Sequence, residues 1–482
     1  MRVNSLEGLC GALRVHFMGI GGVGMSALAL LLSDMGYVVS GCDLSRSAYF
    51  DALEKKNIPC RIGHSASHID EFSPELLAYS NAVRPEQEER VAAEARGIRT
   101  IGRGELLSLL FNASFGIGVA GAHGKTTTSS MIGMILERLG FDPTLAIGAE
   151  VRDIGINAKI GNSGLFVAEI DESDGSFEFF TPSVAVITNV DWDHVDHFKT
   201  REDLLEAFVR FADARKQGAS LVVCSEDVGN QSLLKRLRKN SGVVTCGFGR
   251  GLSWGAFDLK PEDVGGISFS VMHEGETLGR IELAVSGEHN VMNALMSCAA
   301  VFEAISILKN SLKEKKYILP DVSFDDVAKT MSAFRGAERR LEKAGVKNSI
   351  DVIDDYGHHP TEISASLSAV RDMYRGRRLV VVFQPHRYTR TKIFYREIAE
   401  ALGEADVTLL LPVYSAGEEP CGVTSADILS IMNSRGFEAS LCRDDEDALS
   451  RLDSTLRLGD VLLVLGAGSV TKLGKKYLEK MS

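Results

Sequence analysis

The feature that most constrains the fold of this chain is a glycine-rich turn between an apolar run and a helix-like pattern. The run Ser114–Ala120 is typical of a buried strand, the turn is Gly121-Ala-His-Gly-Lys-Thr-Thr127, and apolar residues recur at helical spacing from Thr126 to Leu136. A strand, a glycine loop, Lys-Thr and a helix bind a polyphosphate, because backbone N–H groups and the helix N-terminus face the anion. The pattern therefore predicts an α/β domain with a phosphate site.

Two side chains of this turn have specific expected roles. Lys125 would reach the outer phosphates, and Thr126 would offer its hydroxyl to Mg²⁺. The strict pattern G-x-x-x-x-G-K-[ST] is not met, since Val119 stands where the first glycine belongs and Gly118 and Gly121 flank it. We interpret the turn as a variant phosphate loop; the alternative is an accidental Gly-Lys-Thr.

Composition limits the class of protein. With 482 residues the chain is long enough for about three domains, and 45% hydrophobic with 24% charged residues is ordinary for a globular protein. The net charge of −12 argues against a nucleic-acid partner or an anionic membrane surface. We find no unbroken apolar run of about 18 residues and no secretory signal. The eight cysteines are scattered without C-x-x-C pairs, which predicts reduced thiols in the cytoplasm.

A second glycine loop lies near the start of the chain. A short apolar run, 13–18, precedes Gly19-Ile-Gly-Gly-Val-Gly24, an apolar helix follows over Met25–Leu32, and a second strand ends near Asp43. This matches G-x-G-x-x-G with an acidic residue about 20 positions on. The loop could bind a nicotinamide or flavin, or the diphosphate of another nucleotide with Asp43 near the ribose or base, or form a tight turn without a ligand. Spacing does not separate a dinucleotide from a nucleotide-sugar.

Polar residues follow two buried strands of the central region. Glu169 lies at the end of the run 165–170 and is followed by Asp171, Glu172 and Asp174, which predicts a second contact with Mg²⁺. The run 184–189 leads into a segment with three aspartates and two histidines, where His194 could be a neutral imidazole ligand or could orient a phosphate. A solvated polar loop is the alternative.

The remaining chain predicts one more α/β domain. A helix runs from Gly287 to about Leu308, and His289, Asn290 and Asn293 are polar positions at its start. Asn290 either caps the helix or contacts an adenine. Strands at 350–355, 379–383, 407–412 and 461–468 form the last sheet, and polar residues follow their ends, as in open α/β sheets. Among these, Arg387 and Arg390 are candidate clamps for a carboxylate or phosphate. We place the domains at residues 1–112, 113–333 and 334–482.

These parts favour one class of enzyme over two others. A nicotinamide-dependent oxidoreductase uses the first loop and leaves the second idle, and a nucleotide-gated binding protein or simple ATPase does the reverse. An ATP-driven ligase uses both loops and the last domain, because it must hold a nucleotide-borne acid, ATP and an amine together.

Over essentially its whole length the sequence resembles the Mur ligases of peptidoglycan synthesis. The resemblance rests on six motifs: His16-Phe-Met-Gly-Ile-Gly-Gly-Val-Gly-Met-Ser26, Gly121–Thr127, Ala168-Glu-Ile-Asp-Glu-Ser-Asp174, Asn189-Val-Asp-Trp-Asp-His194, Asp354-Asp-Tyr-Gly-His-His-Pro360 and Gln384-Pro-His-Arg-Tyr-Thr-Arg390. It differs from the usual family pattern at Ala122, where threonine is common, and in a short segment at 80–85. The stretch 384–390 resembles the alanine-adding branch of the family. Some sister ligases have a carbamylated lysine in the region that corresponds to 207–210, and the absence of a lysine there also resembles the alanine-adding branch.

The resemblance implies a fold and an activity. The fold would be α/β in three domains: a Rossmann-like UDP-binding domain, a central P-loop ATPase-like domain and a C-terminal Rossmann-like domain. The activity would be ATP-dependent ligation of L-alanine to UDP-N-acetylmuramate through an acyl phosphate, with ADP and phosphate released. The cofactor would be Mg²⁺, with Mn²⁺ as an alternative, and the enzyme would be a bacterial cytoplasmic monomer or homodimer. Selectivity among alanine, serine and glycine stays open, since one small group is worth only about 1–3 kcal/mol.

The resemblance also implies site residues. The expected UDP-sugar contacts are Gly19, Ile20, Gly21, Gly22, Val23, Gly24, Met25, Ser26, Asp43 and Ser80. The expected ATP contacts are Gly121, Ala122, His123, Gly124, Lys125, Thr126, Thr127, Asn293, Arg340 and Asp354. The expected metal ligands are Thr126, Glu169 and His194, and the expected catalytic residues are Lys125, His194, His359, Arg387 and Arg390.

Overall fold

The computed structural model describes residues 14–151, 153, 155–173, 175–195, 197–238, 241–262, 265–311, 319–336 and 339–480, with the backbone alone at 149–151, 156 and 157. Within these residues the chain forms three β-sheets, which follow one another along the sequence. Each sheet carries its own helices, so the predicted α/β class with three domains is confirmed.

The N-terminal sheet is entirely parallel. Its strands are β1 Arg14–Met18, β2 Val38–Asp43, β3 Cys60–Ile62, β4 Leu76–Tyr79 and β5 Arg99–Gly102. Its helices are α1 Val23–Asp34, α2 Ala48–Lys55, α3 Ser67–Phe72, α4 Glu88–Ala95 and α5 Arg103–Asn112. The strand order is β3-β2-β1-β4-β5, so the chain reverses direction across the sheet next to β1, where the first glycine loop lies.

Side chains of β1 serve two cores, because successive residues of a strand face opposite sides. Val15 and Phe17 are buried with the α1 residue Leu28, whereas Met18 is buried with Leu77 on the other face. Residue 13, which the sequence analysis included in this strand, lies outside the described part.

The central sheet is large and mixed. Its strands are β6 Phe115–Ala120, β7 Thr144–Val151, β8 Ile156–Lys159, β9 Leu165–Glu169, β10 Val184–Ile187, β11 Ser220–Cys224, β12 Val243–Phe248, β13 Trp254–Pro261, β14 Ile267–His273 and β15 Glu276–Leu283. Its helices are α6 Lys125–Arg138, α7 Arg201–Asp213, α8 Val228–Leu234, α9 Glu288–Ser311 and α10 Phe324–Ser332, with a 3₁₀ turn at Ser176–Phe179. The order β15-β14-β13-β12-β11-β10-β6-β9-β7-β8 places β6 between β10 and β9, so polar residues after all three strands meet.

Antiparallel pairs close both edges of this sheet. The strands β13, β14 and β15 form a meander at one edge, and β7 pairs with β8 at the other. The helix α1 of the N-terminal domain packs on the β7–β8 hairpin, and one apolar core extends from the first sheet into the central domain.

Helix α9 is the most apolar long helix of the described residues. By length and composition alone it could cross a membrane. Its few polar residues are spread along it, so the sequence shows no unbroken apolar run of that length. In the fold, 72% of its most apolar stretch is buried, and it packs against α6 and the strands β10 to β14.

The C-terminal sheet has one antiparallel edge. Its strands are β16 Glu342–Lys347, β17 Ile350–Asp355, β18 Leu379–Phe383, β19 Val407–Leu410, β20 Ala439–Leu441 and β21 Val461–Leu465. Its helices are α11 Pro360–Met373, α12 Tyr388–Leu402, α13 Ser425–Ser434, α14 Asp445–Thr455 and α15 Thr471–Glu479. The order is β16-β17-β21-β18-β19-β20, with only the β16–β17 pair antiparallel among the described pairs, so the ends of β17 and β18 lie near each other.

Candidate active site

The glycine loop between β6 and α6 has a backbone that only glycine adopts easily. Gly121 has φ +131° and Gly124 has φ +81°, both in the region that side chains disfavour. A Cβ atom would lie 2.1 Å from Thr188 Oγ1 at Gly121 and 2.6 Å from Asn293 Oδ1 at Gly124. Helix α6 begins at Lys125, one residue before the predicted start, so Lys125 and Thr126 occupy the first turn that faces an anion.

The end of β10 holds the loop in place. His123 N donates a hydrogen bond to Asn189 Oδ1 (2.9 Å), and Asn189 Nδ2 donates to the carbonyl oxygen of His123 (3.0 Å). Thr188 Oγ1 donates to the same carbonyl (2.6 Å). The shape of the phosphate loop is therefore set by the neighbouring strand before any phosphate binds.

The Lys125 ammonium group folds back over the loop. It donates to the Gly121 carbonyl (2.6 Å), the Ala122 carbonyl (3.2 Å) and Glu172 Oε1 (2.8 Å). Burial opposes the charge, but Glu172 and then Asp171 outweigh it and raise the Lys125 pKa. Lys125 is thus a cation whose present partner is the buried carboxylate of Glu172.

Thr126 and Glu169 form the first candidate metal-binding pair. Thr126 Oγ1 donates to Glu169 Oε1 (3.1 Å), and Gly148 N donates to Glu169 Oε2 (2.8 Å). A hydroxyl and a carboxylate are the hard oxygen ligands that Mg²⁺ prefers, so this pair fits a magnesium ion.

His194 lies with a different pair of carboxylates. Its Nε2 is 3.1 Å from Glu172 Oε1, and donor atoms of Asp171, Glu172 and His194 lie within 4.8 Å of one another. Glu172 Oε2 is buried and has no hydrogen-bond partner among the described residues. A buried carboxylate oxygen without a partner is available to bind a cation. The predicted set Thr126, Glu169 and His194 is therefore spread over two donor groups of one cleft. Asp174, also considered from the sequence, lies outside the described residues.

The environment of His194 favours its protonated form. Its backbone has φ +51°, and its ring is largely buried. Burial lowers its pKa, but Glu172 and Asp193 outweigh burial and raise it. Service as a neutral metal ligand would require loss of that proton.

Asp193 and Arg390 join the central and C-terminal domains through a buried bidentate ion pair. Arg390 Nε and Nη2 donate to the two Asp193 oxygens, each at 2.9 Å. Burial alone would raise the Asp193 pKa, but Arg390 holds it well below its usual range. The guanidinium predicted to clamp an anion of the substrate is thus occupied by a protein carboxylate.

His123 makes a second bridge between these domains. Its Nε2 lies 3.3 Å from Asp191 Oδ2, and its Nδ1 lies 3.3 Å from Glu362 Oε1, at the start of α11. Burial opposes protonation, but Glu362 and Asp191 raise the His123 pKa to about 9. The phosphate loop is therefore tied electrostatically to the C-terminal domain.

His359 lies beside this bridge and away from the cleft surface. It is buried, and its ring centroid lies 4.8 Å from that of His123 and 4.8 Å from that of Phe394. Burial and then the His123 charge lower its pKa. Its sequence neighbour His358 lines the cleft instead, with its pKa lowered to about 3 by burial and by Arg390.

Of the other predicted C-terminal residues, two line the cleft between the domains and one does not. Arg387 lines the cleft, with Nε 2.8 Å from Glu418 Oε1, and Arg340 lines it 3.5 Å from Glu362 Oε1. Asp354 is turned away and accepts a hydrogen bond from Thr471 (2.6 Å). Asp355, the next residue along β17, lines a pocket beside the phosphate loop.

This pocket encloses about 200 Å³ between the phosphate loop, α9 and α11. His289, Asn290 and Asn293 from the start of α9 line it. Asn293 Oδ1 accepts a hydrogen bond from Thr128 (3.2 Å), so Asn293 also braces α6. Burial and Arg340 lower the His289 pKa to about 4, so a neutral ring and two amides face the pocket.

The first glycine loop is held by the end of β2. Gly19 N and Ile20 N donate to the carbonyl oxygen of Cys42 (2.8 and 3.0 Å), and Gly21 N donates to Asp43 Oδ2 (2.9 Å). Asp43 thus contacts the loop backbone itself, and Ser47 Oγ donates to the Gly21 carbonyl (2.7 Å).

The other predicted UDP-sugar contacts lie at the start of α1 and, for Ser80, directly after β4. Ser80 packs against Gly19, where a Cβ atom would be 2.9 Å from the Ser80 Cβ. Ser26 is buried and donates to the Val23 carbonyl (3.0 Å). A cavity of about 360 Å³ lies between this loop and the central domain, and the predicted residues that line it are Gly22, Val23, Gly24, Met25 and Ser80.

One cleft of about 700 Å³ joins these groups. Its lining includes Gly21 from the first domain, Lys125 and Glu169 from the second, and Arg340 and Arg387 from the third. The two glycine loops and the C-terminal arginines therefore face a common space of the size that holds a ligand.

Two charged residues beside the cleft, Glu362 and Arg103, were not predicted from the sequence. Glu362 is the third residue of α11. It contacts His123 and accepts hydrogen bonds from the backbone N–H groups of His358 and His359. The local signal for it is Pro360 at the first helical position, followed by an acidic residue in the first turn. Arg103 donates to Asp171 (2.9 Å) across 68 residues of sequence, and no local signal points to that contact.

Family models match all three parts of the chain. Residues 14–115 match the model described as Mur ligase family, catalytic domain; residues 119–301 match the Mur ligase middle domain; and residues 339–468 match the Mur ligase, glutamate ligase domain. The chain belongs to the Mur ligase family.

Individual Mur ligases resemble it over nearly its full length. The UDP-N-acetylmuramate–L-alanine ligase of Desulfatibacillum aliphaticivorans is 39% identical over 470 residues, covering 97% of this chain and 98% of the relative. The solved structure of the UDP-N-acetylmuramate-alanine ligase of Thermotoga maritima has a TM-score of 0.76 at 28% identity, covering 97% of this chain and 98% of that one. A murein peptide ligase from Psychrobacter arcticus shares the fold, with a TM-score of 0.71 at 22% identity over 97% of this chain and 98% of that one.

Proposed function

We propose that this Mur ligase joins L-alanine to UDP-N-acetylmuramate at the expense of ATP, giving UDP-N-acetylmuramoyl-L-alanine, ADP and phosphate. The observation that carries the proposal is the common cleft, in which two glycine loops from different domains face the arginines of a third. The full-length relatives named for this reaction support the choice of acid and amino acid.

The reaction explains why two nucleotide sites share a cleft. A free carboxylate is a poor acyl donor, because its leaving group would be an oxide. Attack of the muramoyl carboxylate on the γ-phosphorus of ATP breaks the phosphoanhydride bond and releases ADP, leaving an acyl phosphate. The alanine amine then attacks the acyl carbon, phosphate leaves, and the amine loses a proton to form the amide.

Residues of the central domain serve the phosphoryl transfer. The backbone of Gly121–Gly124 and the start of α6 face the phosphates, and Lys125 exchanges Glu172 for a phosphate oxygen. Thr126 and Glu169 would hold Mg²⁺, with His194 and Glu172 as the second donor group. A bound magnesium ion supplies charge neutralisation at the phosphate oxygens.

The flanking domains position the other two substrates. The Gly19–Gly24 loop would hold the UDP diphosphate, with Asp43 fixing the loop rather than the sugar. The pocket beside Asn293 and His289 has the amides and the neutral ring suited to the adenine of ATP. Arg387, Arg340 and His358 line the side of the cleft where the amino acid would enter.

The cellular setting follows from the substrates. ATP and a UDP-linked acid are cytoplasmic metabolites, and the seven cysteines of the described residues are all free, as expected in a reducing compartment. We place the enzyme in the bacterial cytoplasm, as a monomer or homodimer.

Phosphate release from ATP tests the proposal. Release is expected to require UDP-N-acetylmuramate and L-alanine together, with Mg²⁺, and a panel of alanine, serine and glycine gives the selectivity. Turnover of ATP at an equal rate without either acceptor, or saturable NADH binding, would contradict it.

Lys125→Ala gives the matching variant test. It is expected to lower kcat by about 10²–10³-fold or more, as for loss of one preorganised donor, while leaving UDP-sugar binding unchanged. Lys159→Ala is the control, since Lys159 pairs with Glu137 and Asp142 in the same domain and lies outside the cleft. Equal loss in both variants would contradict the assigned role.

A further inference from the structure

A second group of chemically reactive side chains lies in the N-terminal domain, and the ligase reaction does not use it. The group consists of His16 on β1, Cys42 on β2, His68 on α3 and Glu89 on α4. Their exposed fractions are 0%, 0%, 7% and 0%. They lie on the face of the sheet that packs against α3 and α4, opposite the face that packs against α1.

The donor atoms of these residues converge. One atom from each of the four lies within 4.8 Å of every other. Glu89 is at the centre, with Oε1 2.7 Å from His16 Nε2 and Oε2 3.2 Å from Cys42 Sγ and 3.3 Å from His68 Nδ1. Tetrahedral zinc, with bonds of about 2.0–2.3 Å, keeps its ligand atoms about 3.3–3.8 Å apart, so small side-chain shifts would accommodate the ion.

Two buried nitrogen atoms of the group face the Glu89 carboxylate without a well-aligned hydrogen bond. His16 Nε2 and His68 Nδ1 lie 2.7 and 3.3 Å from Glu89 oxygens, and neither makes a hydrogen bond that satisfies it among the described residues. Buried polar atoms nearly always have a partner. Two such nitrogens, aimed at one thiol and one carboxylate, therefore point to a bound cation.

Surrounding residues orient the group as in known metal sites. His16 Nδ1 bonds to Ser40 Oγ (2.8 Å), which leaves Nε2 facing the cluster. Ser65 N donates to Glu89 Oε2 (3.1 Å). Metal-binding histidines use their second nitrogen in this way, and metal-binding carboxylates are themselves hydrogen-bonded.

We propose that His16, Cys42, His68 and Glu89 bind a structural zinc ion. Two imidazoles, one thiolate and one carboxylate make a four-ligand set of the borderline-soft kind that zinc prefers over magnesium. The Zn–S bond forms as the thiol proton leaves, and His64 Nδ1, 3.0 Å from Cys42 Sγ, can accept that proton. Burial and the Glu89 carboxylate raise the pKa of the Cys42 thiol, so zinc binding displaces a proton.

The proposed ion lies directly behind the first glycine loop. Cys42 offers its side chain to the zinc and its carbonyl to Gly19 N and Ile20 N, and Asp43 binds Gly21 N. A zinc ion on Cys42 would fix the end of β2 and thereby the loop. Its main effect is expected on the stability of the N-terminal domain.

Cobalt substitution in the full-length protein tests the site. The protein is stripped with EDTA and titrated with Co²⁺ in the presence of excess Mg²⁺, which occupies the oxygen ligands of the catalytic cleft. One equivalent of Co²⁺ is expected to give a thiolate-to-cobalt charge-transfer band and the intense visible bands of tetrahedral cobalt. Zn²⁺ should remove both and raise the Tm.

Three variants separate this site from other thiols and metal ligands. Cys42→Ser should abolish the charge-transfer band, and His68→Gln should weaken Zn²⁺ binding by at least about tenfold. Cys60→Ser is the matched control, because Cys60 is a buried thiol on the adjacent strand whose Sγ contacts the Ile58 carbonyl. It should retain the band.

Several results would overturn the proposal. They are the absence of a charge-transfer band in the parent protein, a band that survives Cys42→Ser, and equal Zn²⁺ affinity in the parent protein and His68→Gln. Circular dichroism checks the fold of each variant. If Cys42→Ser does not fold, the affinity of His68→Gln decides, since glutamine keeps much of the buried volume.

Discussion

At the scale of single residues, His123 is an electrostatic contact between the phosphate loop and the C-terminal domain. One imidazole lies between Asp191 of the central domain and Glu362 of the C-terminal domain, at 3.3 Å from each. The two carboxylates raise its pKa in spite of burial. The loop that faces the phosphates therefore carries a positive charge that depends on the position of Glu362.

This contact predicts a stability that depends on pH. The His123 pKa of about 9 lies above the value of about 6.5 expected in the unfolded chain. Protonated His123 thus stabilises the folded state fully below about pH 6.5, and this contribution to the free energy of unfolding is lost as the pH rises through about 9. The free energy of unfolding of the parent protein, relative to His123→Gln, is expected to fall over that interval by roughly 3 kcal/mol at most.

Urea denaturation at several pH values measures this difference. The exposed His197→Gln variant controls for the removal of an imidazole elsewhere in the same loop region. Parallel pH profiles for the parent protein and His123→Gln would show that the bridge does not contribute.

At the scale of elements, the phosphate loop depends on a helix far along the chain. Thr128 Oγ1 in α6 donates to Asn293 Oδ1 in α9 (3.2 Å), and Ser297 Oγ donates to the Thr128 carbonyl (3.2 Å). Asn293 Oδ1 also occupies the space that a side chain at Gly124 would need. The start of α6 and the start of α9 therefore form one unit around the phosphate site.

Gly124→Ala tests this unit. The new Cβ would lie 2.6 Å from Asn293 Oδ1 on a backbone with φ +81°, so we expect the loop to shift, with kcat/KM for ATP lower by at least about tenfold. Gly140→Ala is a matched control, with φ +80° and no atom within 4 Å of its Cβ. Both variants should lose about 1 kcal/mol or more of stability from backbone strain, but only Gly124→Ala should lose activity. Similar ATP kinetics in both variants would refute the steric argument.

Local patterns predicted much of these elements. The glycine loops, the strands that precede them and the helix at α9 follow from periodicity and turn residues, and their predicted limits differ from the observed ones by a few residues. The antiparallel edges of the central sheet, the β13–β15 meander and the β7–β8 hairpin, were not predicted.

Contacts between distant residues could not be predicted in this way. Asp193 and Arg390 are 197 residues apart, and the sequence predicted Arg390 as a clamp for a substrate anion without indicating its protein partner. His358 and His359 are neighbours, and only the turn before α11 decides that His358 faces the cleft while His359 is buried. The same limit applies to Asp354 and Asp355.

At the scale of the whole molecule, the two outer domains are attached differently. An apolar core continues from the first sheet into the central domain. The C-terminal domain contacts the central one through the buried Asp193–Arg390 pair and the His123–Glu362 pair, and through apolar packing of Val195 and Trp192 on the C-terminal core, with the Trp192 and Phe394 rings 5.9 Å apart. Its orientation therefore depends on buried ionised groups as well as on apolar packing.

Breaking the Asp193–Arg390 pair should loosen that attachment. Arg390→Met leaves Asp193 buried without its partner, and we expect a loss of about 3–5 kcal/mol of stability together with a fall in kcat. Arg390→Lys keeps the charge but loses the bidentate geometry, so its stability should lie between that of the parent protein and that of Arg390→Met. The control is Arg435→Met, which breaks an exposed pair with Glu400 and should cost less than about 1 kcal/mol.

Urea denaturation and steady-state kinetics measure both effects. A stability loss for Arg390→Met no larger than that of Arg435→Met would mean that the pair does not hold the domains together. A double variant with Asp193→Asn should recover part of the loss, because no unpaired carboxylate then remains buried.

The buried position of α9 has a consequence for synthesis of the chain. Helix α6 and the strands β10 to β14, which form the surface that α9 covers, all precede it in the sequence. A ribosome therefore releases this strongly apolar segment after its docking surface has been made. The order of translation shortens the time during which the segment is free to aggregate or to meet a chaperone.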